Sequence, residues 1–506
     1  MFIEPKYEEI VYKSEIKKLL SETKIECKTA LPAEEVVKVL SVSAQAVLTG
    51  EEVTADQFRY SGKALFCVAY LAADGSVKKA ECGTEFSNSV KTDFAESVYS
   101  ETSLSVKKAS AEIGGGILVV HSVVGAETCF YTDRRAKALT GGENLILKKS
   151  NVKIVRETKV NKAVFPLEEE FEVPYAVGDV VLHTACAMVT ASQCGVGTLI
   201  CDGELILSVC MLQKIENSDI LKETRCLPFR YELEAEEVSP SFAAQCKASL
   251  KNLSLNIAVD ENTGKSTVAV SADVEVGGCY FQENETECCS DCYSPLCEVT
   301  LSRSECSSSC PAGEKTFEKR VGGRGAFAGA LPAGTRLMCT ANEKVTLTSV
   351  RAENDVIAAE GVLEAVALCK DIEGKVFSAE LEAPFRTSLE YDVGDNRYSV
   401  EAVACESSAR IVSPESFDLD ALVKFRVTAT RTAGVSVVGE VEEGEEKKPA
   451  ESAISVYIPI EGEELWDVAK RLNSCPDAIA SMNADLSYPL SGKERIVIYR
   501  QEKKEY

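Results

Sequence analysis

The stretch Val268-Ala269-Val270-Ser271-Ala272-Asp273-Val274-Glu275-Val276 decides the fold class. Val268, Val270, Ala272, Val274 and Val276 share one side of an extended chain, while Thr267, Ser271, Asp273 and Glu275 share the other. A period of two is the spacing of a half-buried strand, and one wet face is the habit of antiparallel sheets. Further along, Val423, Phe425, Val427 and Ala429 alternate in the same way with Lys424, Arg426, Thr428 and Thr430. Turn residues punctuate this pattern, and long helical stripes are absent between about residue 40 and residue 440. The expected class is mainly β.

The strand pattern repeats. One copy runs from Phe58 through Gly62 to Phe66, then to Asp74-Gly75 and Glu85-Phe86; another runs from Ala358 through Gly361 to Val366, then to Glu373-Gly374 and Pro384-Phe385. The interval from the first Gly to Phe is 24 residues in both, and it is 26 in a third copy from Gly203 to Phe229. Asp-Gly and Glu-Gly pairs supply hairpin turns between alternating strands. The glycines Gly62, Gly203 and Gly361 mark a bulge or a close backbone approach. Three antiparallel β-rich domains in tandem are expected, over 1–150, 151–290 and 291–438. The charged run Gly439–Pro449 reads as an acidic linker, 439–453, before a last module at 454–501.

A 506-residue chain is long enough for several cores, and 45% apolar residues supply them. The formal net charge of −25 makes nucleic acid and anionic lipid poor partners. Charges crowd residues 1–20, so no secretory leader is expected there, and no window has the apolar length for membrane insertion. A cytoplasmic protein is therefore expected, and its 21 cysteines fit a reducing compartment as small buried hydrophobes.

After the linker the period changes. Val456, Ile458 and Ile460 give a strand face; Leu465, Val468, Ala469 and Leu472 give a helical stripe; Pro476 opens a second helix presenting Ala478, Ile479 and Met482; Arg495–Tyr499 closes as a strand. This βααβ stretch resembles a LysM domain through Tyr457, Gly462, Glu463, Leu465-Trp466, Val468-Ala469, Asn483 and Gly492-Lys493. LysM domains bind N-acetylglucosamine glycans, which implies peptidoglycan-binding residues at Gly462, Glu463, Glu464 and Gly492. The family's Gly-Asp-Thr is here Gly462-Glu463-Glu464, which replaces a hydroxyl donor with a carboxylate.

Phe165-Pro166, Val173-Pro174, Gly203 and Pro228-Phe229 resemble a SPOCS domain. Acidic repeated β-domains followed by one C-terminal LysM resemble the SipL family of clostridial spore-coat morphogenetic proteins. The resemblance implies a place in the mother-cell cytosol at the forespore surface. It also implies that the LysM binds the sporulation ATPase called stage IV sporulation protein A, with other coat proteins as further partners. Trp466, the single tryptophan, with Ile454, Ile458 and Leu465, is then the expected partner contact. The alternative is a peptidoglycan-binding LysM protein.

No phosphate loop, nucleophile elbow or H-E-x-x-H motif occurs, and His121 and His183 lie in apolar strand contexts as structural residues. No enzyme activity and no cofactor are expected, with one reservation. Seven cysteines lie between Cys279 and Cys310; Cys289-x-x-Cys292 with Cys306-x-x-x-Cys310 has the make-up of a zinc site. The same thiols also read as cross-linking groups or as buried residues with no special role.

Overall fold

The computed structural model describes residues 2–31, 36–94, 97–215, 218–448 and 454–499. It is mainly β, in antiparallel sheets, with two short helices. The first six strands are β1 (Glu4–Ala30), β2 (Val36–Val53), β3 (Gln57–Ala72), β4 (Val77–Lys91), β5 (Tyr99–Gly114) and β6 (Ile117–Glu143). The next six are β7 (Ile146–Val173), β8 (Val177–Cys194), β9 (Thr198–Gln213), β10 (Ile220–Glu234), β11 (Ala243–Asp260) and β12 (Lys265–Tyr293). Then follow β13 (Cys297–Ala326), β14 (Arg336–Glu353), β15 (Val356–Lys370), β16 (Val376–Glu390), β17 (Arg397–Ser413) and β18 (Ser416–Glu446). The chain ends with β19 (Ile454–Tyr457), α1 (Leu465–Arg471), α2 (Pro476–Met482) and β20 (Ile496–Tyr499).

The same pairing recurs in each run of six strands. Strands two, three and four form a meander, while strand six lies between strands one and five in a second sheet. Each unit buries the facing sides of its two sheets. In the first, Phe66 and Val68 of β3 meet Leu118 and Val120 of β6; in the second, Leu205 and Leu207 of β9 meet Val268 to Val276 of β12. In the third, Leu363 of β15 meets Phe417 and Phe425 of β18.

The repeated glycines have a shared cause. Gly62, Gly203 and Gly361 are the direct cross-strand partners of Phe86, Phe229 and Phe385. On the other neighbouring strand each one faces a bulge, at Leu48/Gly50, Val189/Ala191 and Leu347/Ser349. The bulge brings backbone close while the Phe ring lies across the glycine, so a Cβ at Gly203 would sit 2.3 Å from the Phe229 ring and 2.6 Å from the Met188 carbonyl oxygen. Gly203→Ala is therefore expected to lower stability by about 1–3 kcal/mol through overpacking. A denaturation midpoint unchanged from the parent protein would contradict this account of the repeat.

The three consecutive units also pack on one another. Along β3, residues Phe66 to Ala72 are all buried. Phe66, Val68, Tyr70 and Ala72 face their own unit's core, while Cys67, Ala69 and Leu71 join a cluster with Val181, Leu182 and Cys210 of the second unit and Cys339, Ala341 and Leu368 of the third. Polar contacts stitch the same seam: Ser43 Oγ donates to the His183 carbonyl at 2.7 Å, and Asn342 Nδ2 donates to Ser41 Oγ at 2.6 Å.

The acidic run Gly439–Glu446 is not a tether in the structure. It is the end of β18, paired with β13 from Cys297 to Ser302. Val441 is buried, its N–H donates to the Tyr7 hydroxyl at 3.0 Å, and Glu443 accepts the Phe2 N–H at 2.7 Å. Pairing and those acceptors hold a segment whose composition alone looks solvated. Residues 449–453 of the expected linker lie outside the described residues. The strand units also place the joins differently, since residue 290 falls inside β12 and β7 begins at Ile146.

Candidate functional site

The C-terminal module carries most of the residues singled out in the sequence. β19 and β20 pair from Ile454↔Tyr499 to Tyr457↔Ile496, and the two helices pack on one face of that ribbon through Val468, Ala469, Ile479, Ile496 and Ile498. Pro476 begins α2, where its missing N–H costs nothing. Asn483 ties the end of α2 to the sheet, donating to the carbonyls of Ile479 and Val497 and accepting the Val497 N–H, each at 2.8 Å.

The LysM-like loop residues divide into two kinds. Glu463 is spent inside the module: its carboxylate accepts from the Tyr457 hydroxyl at 3.1 Å and the Ile460 N–H at 2.9 Å, and pairs with Arg471 at 3.1 Å. Glu464 reaches out of the module to an ion pair with Lys148 on β7. Gly462 and Gly492 both adopt positive φ, and a Cβ on Gly492 would meet the Glu461 backbone nitrogen at 3.0 Å, so the two loops lie side by side.

The expected partner contacts separate in the same way. Trp466 is 8% exposed and faces its own chain. Its Nε1–H donates to Asp291 Oδ2 at 2.7 Å, and its ring meets Tyr293 edge-on at 5.1 Å. Lys470 Nζ donates to both oxygens of Asp291, at 2.8 and 2.9 Å, and the Tyr293 hydroxyl donates to the Ser474 carbonyl. Burial alone would raise the Asp291 carboxyl, but the hydrogen bonds from Lys470 and Trp466 outweigh it and hold the group below its ordinary value. Trp466 is therefore the module's seat on the end of β12, and Leu465 is half-buried beside it. Ile454 and Ile458, by contrast, are exposed, at 57% and 60%, in a row with Val456 and Ile460. Tyr499 lies opposite Ile454 and is exposed too, while Met482, expected in the core, is 41% exposed.

The four cysteines expected as a zinc site are not brought together. Cys289 and Cys292 lie with Cys297 in one cluster, Cys306 with Cys288 in a second, and Cys310 with Phe281 in a third. Four residues along a strand span about 13 Å, far beyond two sulfurs sharing one ion, so Cys306 and Cys310 are held apart by β13 itself. Cys289 Sγ donates to the Asp291 carbonyl at 3.1 Å, and the neighbouring Cys289 and Cys292 thiols perturb one another, lowering Cys289 and raising Cys292. Among the described residues the geometric metal candidate is instead Cys67, Glu81 and His183.

A cavity of about 730 Å³ opens where the three units meet, with Lys13, Glu101, Lys159, Lys247 and Arg397 in its wall. Glu101 pairs with Lys159 and Lys247, both at 2.9 Å, and with Lys13 at 3.6 Å. Burial pushes this carboxyl up, but Lys247 and Lys13 together with those hydrogen bonds hold it down at about 2. Its charge is compensated within the wall.

Fold and site thus define a protein of mutually packed antiparallel β units carrying a small βααβ module on one end. Comparison with family models, with curated proteins and with solved structures finds no match for the chain. Among the described residues, no helix is long and apolar enough to cross a membrane.

Proposed function

We propose that this chain is a non-catalytic spore-envelope assembly adaptor of the SPOCS–LysM kind. Its C-terminal module binds the sporulation ATPase, stage IV sporulation protein A, and its β units recruit other coat components at the forespore surface in the mother-cell cytosol. The observation that carries this reading is the exposed row Ile454, Val456, Ile458 and Ile460 on a module otherwise seated firmly on the body. Apolar side chains left in water at alternate positions of one segment offer an interaction surface, and apolar side chains suit another protein better than a neutral sugar. Glu463, at the position of a LysM ligand group, already has its carboxylate filled by Tyr457, Ile460 and Arg471, which weakens the glycan alternative.

The two readings part in a sedimentation assay on the full chain. Retention by immobilised stage IV sporulation protein A, with none on insoluble peptidoglycan, is the expected outcome. Retention on peptidoglycan alone would replace this proposal with glycan binding.

A further inference from the structure

Cys67, Glu81 and His183 present ligand atoms all within 4.8 Å of one another. Cys67 on β3 and Glu81 on β4 are direct cross-strand partners, so their side chains share one face. His183 arrives from the second unit on β8, directly after a register irregularity at Val180/Leu182 of the kind that re-aims a side chain. Ser43 Oγ fixes that strand by donating to the His183 carbonyl at 2.7 Å.

Two of the three groups lack good partners. The Cys67 sulfur reaches only a weak contact with the Val181 carbonyl at 3.9 Å, and it is buried. His183 Nδ1 is buried without a hydrogen-bond partner, although the sequence reading made this histidine an ordinary structural residue. Buried polar atoms are nearly always satisfied, so an orphaned imidazole nitrogen beside a thiol and a carboxylate calls for a ligand.

We infer that Cys67, His183 and Glu81 form a zinc site that clasps the first unit to the second. Thiolate, imidazole and carboxylate are ordinary zinc ligands, and three protein ligands leave a fourth position for water. A thiolate and an imidazole favour zinc over calcium or magnesium, which want oxygen alone. When zinc binds, the Cys67 S–H bond breaks, its proton passes to solvent and an S–Zn bond forms. His183 donates a ring nitrogen lone pair to the ion. Glu81 exchanges its ion pair with Lys79, now 3.1 Å away, for the metal. The thiolate and carboxylate together neutralise the ion's two charges.

The test loads the full chain with zinc alone under anaerobic conditions, removes free metal and measures what remains bound. About one zinc per chain is expected from this site. Cys67→Ser and His183→Gln should each lose most of it, and Glu81→Gln part of it, while the pair Cys289→Ser with Cys292→Ser should keep it. Cobalt-loaded protein should show a sulfur-to-cobalt charge-transfer band that Cys67→Ser abolishes. Melting with and without a chelator guards against misfolding: the parent protein should melt lower when chelated, and folded His183→Gln should not respond. A parent protein that retains no zinc, or a His183→Gln protein that retains all of it, would overturn the assignment.

Discussion

Glu343→Ala is expected to destabilise the whole chain by about 3–5 kcal/mol, the effect of stranding a buried charge. Lys222 of the second unit crosses to the third, where its Nζ donates at 2.7 Å each to Glu343, to Thr340 Oγ1 and to the Ser407 carbonyl. Both charged side chains are less than a tenth exposed, at 9% and 7%, and Ser407 Oγ also donates to Glu343 at 2.9 Å. Removing the carboxylate leaves an ammonium in a seam where water cannot replace it. The pair is not itself a large source of stability, because taking two charges out of water offsets most of their attraction. The double change Lys222→Met with Glu343→Leu should consequently recover most of the loss. Chemical denaturation of the three proteins reads this directly, and a Glu343→Ala protein within about 1 kcal/mol of its parent would mean that the units do not meet there as described.

Trp466→Ala should cost the C-terminal module about 3–5 kcal/mol, the usual range for a buried aromatic truncated to a methyl group. The indole fills the space between α1 and the end of β12, and its N–H is one of the donors that hold Asp291. Asp291 also carries a sign that can be checked. Its folded pKa lies below the ordinary value of about 3.9, so its contribution is full above that pH and fades as pH falls toward the folded pKa. Hydrogen exchange on the full chain should show α1 and α2 losing protection in Trp466→Ala while β3, β9 and β15 keep theirs. Unchanged protection in the helices would remove Trp466 as the anchor of the seat. The indole is also the chain's single tryptophan, so its fluorescence reports docking without a label.

The sequence was most legible where structure is local. Alternation at Val268–Val276 appears as a one-sided buried strand, and the Gly75 and Gly374 turns appear with positive φ between paired strands. The interval from Gly62 to Phe86 proves to be a cross-strand pairing, and that register by itself pairs Cys67 with Glu81. His183 could not be read in the same way, because it comes from another unit through a bulge that no short pattern announces. The run Phe66 to Ala72 is covered on both faces, which the packing of three units alone explains. The run Gly439–Glu446 looked like a tether because its acids outnumber its apolar residues, yet pairing to β13 is a backbone property that composition does not report. Trp466 was picked out for good reason as an anchor, but its interface is with its own chain.

Binding at the exposed row of the module tests the central claim most directly. Purified full-length protein titrated with stage IV sporulation protein A should bind saturably, and Ile458→Asp, at a position 60% exposed, should weaken binding about tenfold or more without changing the melting temperature. Lys493→Ala, beside the loop glycine Gly492, should leave it unaltered. Native affinity in a folded Ile458→Asp protein, or no binding by the parent chain at all, would contradict the account.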